Sequence, residues 1–204
     1  MTPELLIATT NQGKVAEIRH ALEGLGLKLL SLADFPNPPS VAEDAETFEG
    51  NARKKARHYA QWSGKATLAD DSGLVVDALG GRPGVHSSRY AGEKATDEDN
   101  RQKLLHELKD VPEEKRGAAF VCCLALATPE GREIVVEGRC EGRITLAPKG
   151  ENGFGYDPLF FYPPLGRTTA ELSLEEKHTI SHRGRALERL KQALAGFLTD
   201  HALI

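Results

Sequence analysis

The sequence lacks most of the features that mark membrane, secreted or zinc-centred proteins. Its three cysteines, Cys122, Cys123 and Cys140, are an odd number without CxxC spacing, which argues against a disulfide framework and a zinc site. No apolar run approaches the roughly 18 residues that a membrane span needs. No basic segment precedes the short apolar stretch near the N-terminus, as a secretory signal requires. We therefore expect a cytoplasmic protein without a membrane partner.

An excess of charge of either sign is also missing. The 26 lysine and arginine residues face 30 aspartate and glutamate residues, for a formal net charge of −4, so we expect no nucleic-acid partner. The seven histidines show no HExxH spacing, and no GxSxG segment offers a nucleophile for acyl transfer. With 40% hydrophobic and 27% charged residues the composition is globular, and we predict one domain over residues 1–204.

Hydrophobic periodicity predicts a mixture of helices and strands. Apolar residues at helical spacing and capping residues predict helices over residues 14–25, 46–62 and 97–108, a short helix after Ser173 and a last helix after Ser181. Apolar runs between turn residues predict strands over residues 4–8, 27–32, 66–69, 118–128, 132–140 and 143–146, with a hairpin at 118–140. This order indicates an α/β fold with a mixed β-sheet.

The loop between the first strand and the first helix reads TTNQGK, at residues 9–14. Backbone N–H groups at the start of a helix attract anions, and Lys14 adds a full positive charge. The loop is not a Walker A motif, because the first glycine is missing and Val15 stands where Ser or Thr is required. Phosphate binding and a simple capped turn are both open at this point.

Two adjacent carboxylates, Asp70 and Asp71, follow an apolar run. Successive side chains of an extended segment point to opposite faces, so one carboxylate is expected to face a cleft while the other makes local hydrogen bonds. A cleft carboxylate suits Mg²⁺, which combines few protein ligands with water and phosphate oxygens. A polar strand end with an Asp turn is the alternative. Glu43 completes a metal site if its segment approaches Asp71, although early acidic residues usually serve a helix dipole.

Two later segments add further candidates. Residues 153–158, GFGYDP, place glycines around aromatic rings, which suits either base stacking or a tight corner of the core. If Ser181 caps the last helix, His182 and Arg183 lie in its first turn, where cationic side chains oppose the helix dipole. A bound anion or a carboxylate is therefore expected beside them.

Four segments, in this order, resemble the inosine/xanthosine triphosphate pyrophosphatase family: residues 9–14, 69–74, 154–158 and 181–184. The resemblance extends from about residue 4 to residue 198. It implies an elongated, two-lobed α/β fold around a long mixed β-sheet with flanking helices and a central cleft, assembled as a homodimer. It also implies Mg²⁺-dependent hydrolysis of ITP, dITP and XTP, as small-molecule partners, to the nucleoside monophosphate and pyrophosphate.

The resemblance further implies roles for individual residues. Asp71 is the general base and, with Glu43, a metal ligand; Ser72 lies beside it, and Lys55 is aimed at the phosphates. The loop that holds the triphosphate consists of Thr9, Thr10, Asn11, Gln12, Gly13 and Lys14. The residues that hold the base and the sugar-phosphate are Phe154, Gly155, Tyr156, Asp157, Lys177, His182 and Arg183.

The sequence departs from the family pattern at three positions. Thr10 replaces a commoner glycine, Gly50 stands where the family usually has glutamate, and Glu43 falls in an acidic region that varies. Two alternative functions remain open. One is a nucleotide pyrophosphatase for modified pyrimidine or methylated nucleotides, and the other is a nucleotide-binding protein without turnover. The adjacent carboxylates Asp70 and Asp71 argue against the second alternative.

Overall fold

The fold is described from a computed structural model, which describes residues 2–199; residues 1 and 200–204 of the predicted domain lie outside the described range. The helices are α1 (Gln12–Leu22), α2 (Phe48–Ser63), α3 (Asp97–Glu107), α4 (Leu174–Ile180) and α5 (His182–Thr199). The strands are β1 (Glu4–Ile7), β2 (Lys28–Ser31), β3 (Ala66–Val76), β4 (Gly117–Ala127), β5 (Glu133–Ile144), β6 (Phe160–Tyr162) and β7 (Arg167–Thr168). No helix of the described range has the length and apolar character that a membrane span requires.

The strands form one open, mixed sheet. Its order is β2-β1-β3-β4-β5-β6-β7. Strand β1 pairs in parallel with β2 and with β3, while β5 with β6 and β6 with β7 are antiparallel. The predicted α/β class with a mixed sheet is therefore confirmed.

The chain divides into two compact units. Unit 1 comprises Met1–Asp71, Cys122–Gly138 and Arg183–Ile204, and unit 2 comprises Ser72–Val121 and Arg139–His182. The boundary falls between Asp71 and Ser72 and again between His182 and Arg183, so each of these candidate pairs is split between the units. The cleft implied by the family resemblance stays a prediction.

Strand β1 of unit 1 is buried on both faces. Leu5 and Ile7 of β1 face a core that includes residues of α1 and α5, whereas Leu6 faces a second core formed with α2. This alternation follows from the period of two along a strand. Parallel strands covered by helices on both faces are apolar throughout, which explains why β1 reads as an unbroken apolar run.

Unit 2 has its own core, in which Leu104 of α3 packs with residues of β4 and β6. The rings of Phe120 and Phe160 lie with their centroids 4.3 Å apart. Each unit therefore supports its own site residues with a separate hydrophobic core.

Several predicted element boundaries differ from the structure, and the largest differences are these. Strand β3 continues through Asp70 and Asp71 to Val76, so the Asp-turn alternative is wrong. Residues 143–146 are not a separate strand, because β5 runs unbroken to Ile144. Helix α1 begins at Gln12 and ends at Leu22, earlier at both ends than predicted, since Asn11 provides the N-cap. The hairpin is confirmed, with β4 beside β5 and a turn closed by Thr128 N donating to Arg132 O at 3.0 Å.

Candidate active site

The loop after β1 is organised by its own polar side chains. Asn11 Oδ1 accepts from Lys14 N at 3.1 Å, and Thr9 Oγ1 accepts from Asn11 N at 3.1 Å. Gln12 Nε2 donates to the carbonyl of Thr10 at 3.3 Å. The capped βα turn is thus present, and it places the start of α1 and the Lys14 side chain at the end of β1, as a phosphate site requires.

Asp70 lies at the centre of a buried charge cluster in unit 1. Its Oδ2 accepts from Arg183 Nε at 2.7 Å and from the Cys122 thiol at 3.2 Å, and its Oδ1 lies 2.5 Å from Lys14 Nζ. Arg183 also donates from Nη1 to Glu17 Oε2 at 2.5 Å. Burial alone raises the pKa of Asp70, but the charges of Arg183 and Lys14 hold that pKa well below its ordinary value.

This cluster supplies the carboxylates expected beside the first turn of α5. Arg183 is 1% exposed, and its guanidinium is compensated by Asp70 and Glu17. Sequence reasoning missed Glu17 and Cys122 as members of the site. No usable signal for Glu17 was present in the sequence, because residues two positions apart on a helix do not share a face, and its burial with residues of α1 is seen only in the folded chain.

Asp71 points to the opposite face of β3, as the alternation predicts. It is 4% exposed, its Oδ1 lies 3.7 Å from Lys55 Nζ, and its Oδ2 is buried without a hydrogen-bond partner. Burial raises the pKa of Asp71 to about 6, against the opposing charges of Lys55 and Lys14. A carboxylate in this state is adapted to take up a proton or a cation near neutral pH.

Lys55 connects Asp71 with Glu43. Its Nζ donates to Glu43 Oε1 at 3.1 Å and to the carbonyl of Asp70 at 2.8 Å. Helix α2 presents Lys55 to β3, and the buried Asn51, one turn earlier, accepts from Ala45 N at 2.9 Å and so anchors the segment that carries Glu43. The structure therefore brings Lys55, Glu43 and Asp71 together, which meets the condition that the sequence analysis set for a metal site with Glu43.

These residues fit a magnesium ion. The described residues contain no group of three or more His, Cys, Asp or Glu side chains that encloses a metal. Mg²⁺ does not need such a cage, because it is commonly held by one or two carboxylates together with water and substrate phosphates. The unpartnered Oδ2 of Asp71 and the Glu43 carboxylate, which share the Lys55 ammonium, provide oxygen donors of that kind.

Gly50 has a steric reason to remain glycine in this chain. A Cβ at this position would lie 2.8 Å from Ala45 Cβ and 3.1 Å from Thr47 Oγ1. The segment that leads into α2 thus packs against the place where a longer side chain would start. A glutamate at position 50 would therefore clash with Ala45 and Thr47 in this chain.

In unit 2, Asp157 organises the segment that carries Phe154. Asp157 is 2% exposed; its Oδ2 accepts from Phe154 N at 3.0 Å and from Lys177 Nζ at 2.5 Å, and its Oδ1 accepts from Thr169 Oγ1 at 2.8 Å. The Lys177 ammonium also lies 4.7 Å from the centroid of the Phe154 ring. Thr169 was not anticipated from the sequence.

The two aromatic residues of this segment have different surroundings. Tyr156 is 5% exposed, belongs to the core of unit 2 and donates its hydroxyl to the carbonyl of Ser87 at 2.8 Å. Phe154 is only half-buried. Tyr156 therefore forms the tight corner of the core that was one of the two interpretations of this segment, whereas Phe154 remains partly exposed. His182, 5% exposed, is stacked on Phe120 with centroids 4.7 Å apart.

Gly153→Ala is expected to destabilise the protein more than Gly155→Ala. Both glycines have positive φ, +74° and +61°, so alanine at either position costs about 1–2 kcal/mol. At Gly153 the new Cβ also falls 2.1 Å from Asp157 Oδ2 and displaces the partner of Lys177, whereas at Gly155 nothing lies within 4 Å. Urea unfolding of both variants measures the difference, and equal losses would contradict the packing argument.

The fold and these groups define an α/β protein that carries buried, charge-compensated carboxylates on a central strand and a lysine-bearing loop at the start of a helix. The model of the Ham1 family matches residues 5–193, so the chain belongs to the Ham1 family. This confirms the resemblance found in the sequence motifs.

Individual relatives agree over nearly the whole chain. The dITP/XTP pyrophosphatase of Geobacter sulfurreducens is 56% identical over 190 residues, which cover 93% of this chain and 96% of that protein. The dITP/XTP pyrophosphatase of Shouchella clausii is 51% identical over 193 residues, 95% of this chain and 97% of that protein. A HAM1 protein structure from Coxiella burnetii superposes with a TM-score of 0.86 at 43% identity, covering 95% of this chain and 99% of that one.

Proposed function

We propose that this protein hydrolyses the deaminated purine nucleotides ITP, dITP and XTP to the nucleoside monophosphate and pyrophosphate and so removes them from the nucleotide pool. The observation that carries the proposal is the buried Asp71 carboxylate, with one oxygen lacking a hydrogen-bond partner and the other beside Lys55. The names of the similar dITP/XTP pyrophosphatases support the choice of substrate.

The proposed chemistry needs positioning and neutralisation of charge, and no protein nucleophile. Asp71 orients a water molecule and accepts its proton, for which a pKa of about 6 is well suited. Lys55 faces the phosphates from α2. Lys14 does so from the first turn of α1, because an ammonium has three donors and its contact with Asp70 leaves others available. Thr9, Thr10 and Asn11 of the loop after β1, and Gln12 and Gly13 at the start of α1, are the further residues proposed to hold the triphosphate.

Magnesium is the cofactor we propose, with Asp71 and Glu43 as its protein ligands. When bound, the ion neutralises phosphate charge and polarises the phosphoryl group that water attacks. Asp71 and Glu43 would hold the ion, and the Lys55 ammonium, which contacts both carboxylates, keeps them close to one another. The buried surroundings of Asp71 exclude bulk water and strengthen these interactions.

Base selection is assigned to residues of unit 2 and to the start of α5. The Phe154 ring stacks on the base, and Gly155 allows the backbone to turn beside it. Lys177 and His182 of unit 2 are the donors proposed for a 6-oxo purine, and the family resemblance adds Arg183 to them. Adenine presents an amino group at position 6, which leaves a donor facing a donor, a penalty typical of a buried unpaired polar group. The further proposed contacts to the base and sugar-phosphate come from Ser72, Tyr156 and Asp157.

Release of pyrophosphate is expected to be fastest from ITP, dITP and XTP and to require a divalent cation. The measurement is a pyrophosphate-release assay with ITP, XTP, dITP, ATP, GTP and CTP, each with and without Mg²⁺. We expect at least about 100-fold lower kcat/KM for ATP, the size of penalty that an unmatched buried donor produces. Equal rates on ATP would exclude the 6-oxo readout.

The same assay separates the alternatives. Preference for modified pyrimidine or methylated nucleotides would favour the related pyrophosphatase, and binding without release would favour a nucleotide-binding protein. A homodimer, which rests on the family resemblance, and a cytoplasmic location, which rests on the sequence pattern, are further proposals. Light scattering on the purified protein tests the first, and fractionation of the source cells tests the second.

A further inference from the structure

Helix α3 holds the backbone of Gly155 from both sides. Asp97 Oδ2 accepts from Gly155 N at 2.7 Å, and Arg101 Nη1 donates to Gly155 O at 2.6 Å. Residues four positions apart lie on one face of a helix, so both side chains reach the same peptide segment. Both bonds involve a charged group, and such bonds are stronger than neutral ones. We call Asp97 and Arg101 the α3 clamp.

The clamp acts directly beside the Phe154 ring. Phe154 N donates to Asp157 Oδ2 at 3.0 Å on one side, and Gly155, the next residue, is held by the clamp on the other. Gly155 has a φ of +61°, the left-handed conformation that glycine adopts without steric cost. The backbone at Phe154 and Gly155 is therefore held by Asp157 on one side and by the α3 clamp on the other, which fixes the point from which the Phe154 side chain extends.

The clamp is itself supported within α3. Arg101 is oriented by Glu98, whose Oε2 accepts from Arg101 Nη2 at 2.8 Å. Asn100, 3% exposed, accepts from Ala91 N at 2.8 Å and donates to Ser88 O at 3.1 Å, so the same helix also anchors the preceding loop. The capping box of α3 uses Thr96 and Asp99, not the clamp residues, so a substitution in the clamp leaves the start of the helix intact.

We propose that Asp97 and Arg101 are positioning residues that fix the Phe154 ring for stacking on the purine base. The inference rests on the proposed function, in which Phe154 contacts the base. It adds a determinant of base affinity that lies outside the four segments recognised in the sequence. The clamp is not among the residues proposed to hold the phosphates, so its loss is expected to weaken binding of the base and to leave the chemical step in place.

Removal of the clamp is expected to raise KM and leave kcat nearly unchanged. Stacking of a base on an aromatic ring contributes about 1–3 kcal/mol, equivalent to about 5- to 150-fold in affinity, and a misplaced ring loses part of this. We expect Asp97→Ala and Arg101→Met to raise KM for ITP about 5- to 20-fold, with kcat within about twofold. Asp97→Asn keeps an acceptor for Gly155 N and is expected to restore most of the affinity. Asp110→Ala, an exposed carboxylate after α3, is the matched control.

A double-mutant cycle with Phe154→Ala distinguishes positioning from general structural support. If the clamp acts through the ring, Asp97→Ala changes KM by less than about twofold once Phe154 is alanine. An equal effect in both backgrounds, or no effect in the wild-type background, would overturn the inference. Where turnover of Phe154→Ala is too slow for a KM, the Kd for IMP from titration calorimetry provides the same comparison. A wild-type protein that releases no pyrophosphate from ITP refutes the proposed function instead, so the two failures are distinguishable.

Discussion

Asp71→Asn is expected to abolish Mg²⁺-dependent release of pyrophosphate from ITP, with kcat reduced by about 10³-fold or more. The amide has the shape of the carboxylate but neither accepts the proton of the attacking water nor provides an anionic metal ligand. We expect no loss of folding stability. Burial raises the pKa of Asp71 to about 6, which means that the fold disfavours the charged form. The neutral asparagine is therefore expected to keep, or slightly raise, the melting temperature at pH 7.5.

The combination of lost activity and unimpaired stability is the decisive result. Pyrophosphate release and thermal unfolding are measured on the same preparation. Asp44→Asn is the matched control, because Asp44 is an exposed carboxylate that contacts Lys54 next to the Glu43 segment, and its loss should leave kcat within about twofold. Turnover near the wild-type rate in Asp71→Asn would show that another group serves as base and would remove Asp71 from the mechanism.

Local patterns were sufficient to predict how Asp70 and Asp71 are presented. Their opposite orientation depends only on the period of two of an extended segment, and that period holds wherever the residues are in a strand. The length of the strand was harder to predict from the sequence. Ser72 and Gly73 read as turn residues, yet β3 continues through them beside its long neighbour β4, although β1 already ends opposite Leu68. Pairing of this kind is tertiary and overrides local preference.

The partners of the charged residues could not be predicted by such rules. Arg183 binds Glu17 across 166 positions and Asp70 across 113, and no periodic pattern relates residues so far apart. For Asp97 and Arg101 the sequence likewise predicted only a helix over residues 97–108, while their contact with Gly155 spans more than 50 positions. Sequence motifs therefore predicted which segments carry chemistry, and the fold was needed to show which other side chains contact those segments.

Arg183→Met is expected to destabilise the protein by about 3–5 kcal/mol, the cost of removing one partner from a buried ion pair. Methionine fills much of the same volume, but the carboxylates of Asp70 and Glu17 remain buried. Asp70 then keeps only Lys14 as a cationic partner, and Glu17 loses its ion pair with Arg183. For a chain of this length, such a loss lowers the melting temperature by roughly 10 °C. Thermal and urea unfolding measure it. Arg185→Met, an exposed arginine two positions further along α5, serves as the control and should change stability by less than about 0.5 kcal/mol.

The reason for the loss is tested by removing the charges that Arg183 compensates. In the triple variant Glu17→Gln, Asp70→Asn and Arg183→Met, no uncompensated carboxylate remains at this position, so most of the lost stability is expected to return. A single Arg183→Met variant that melts within about 2 °C of the wild type would show that the cluster does not depend on the guanidinium. In that case a raised KM for ITP would assign Arg183 to the substrate, as the family resemblance implies. A large loss of stability, reversed in the triple variant, would identify Arg183 first as the residue that holds Asp70, and through it Lys14, in place.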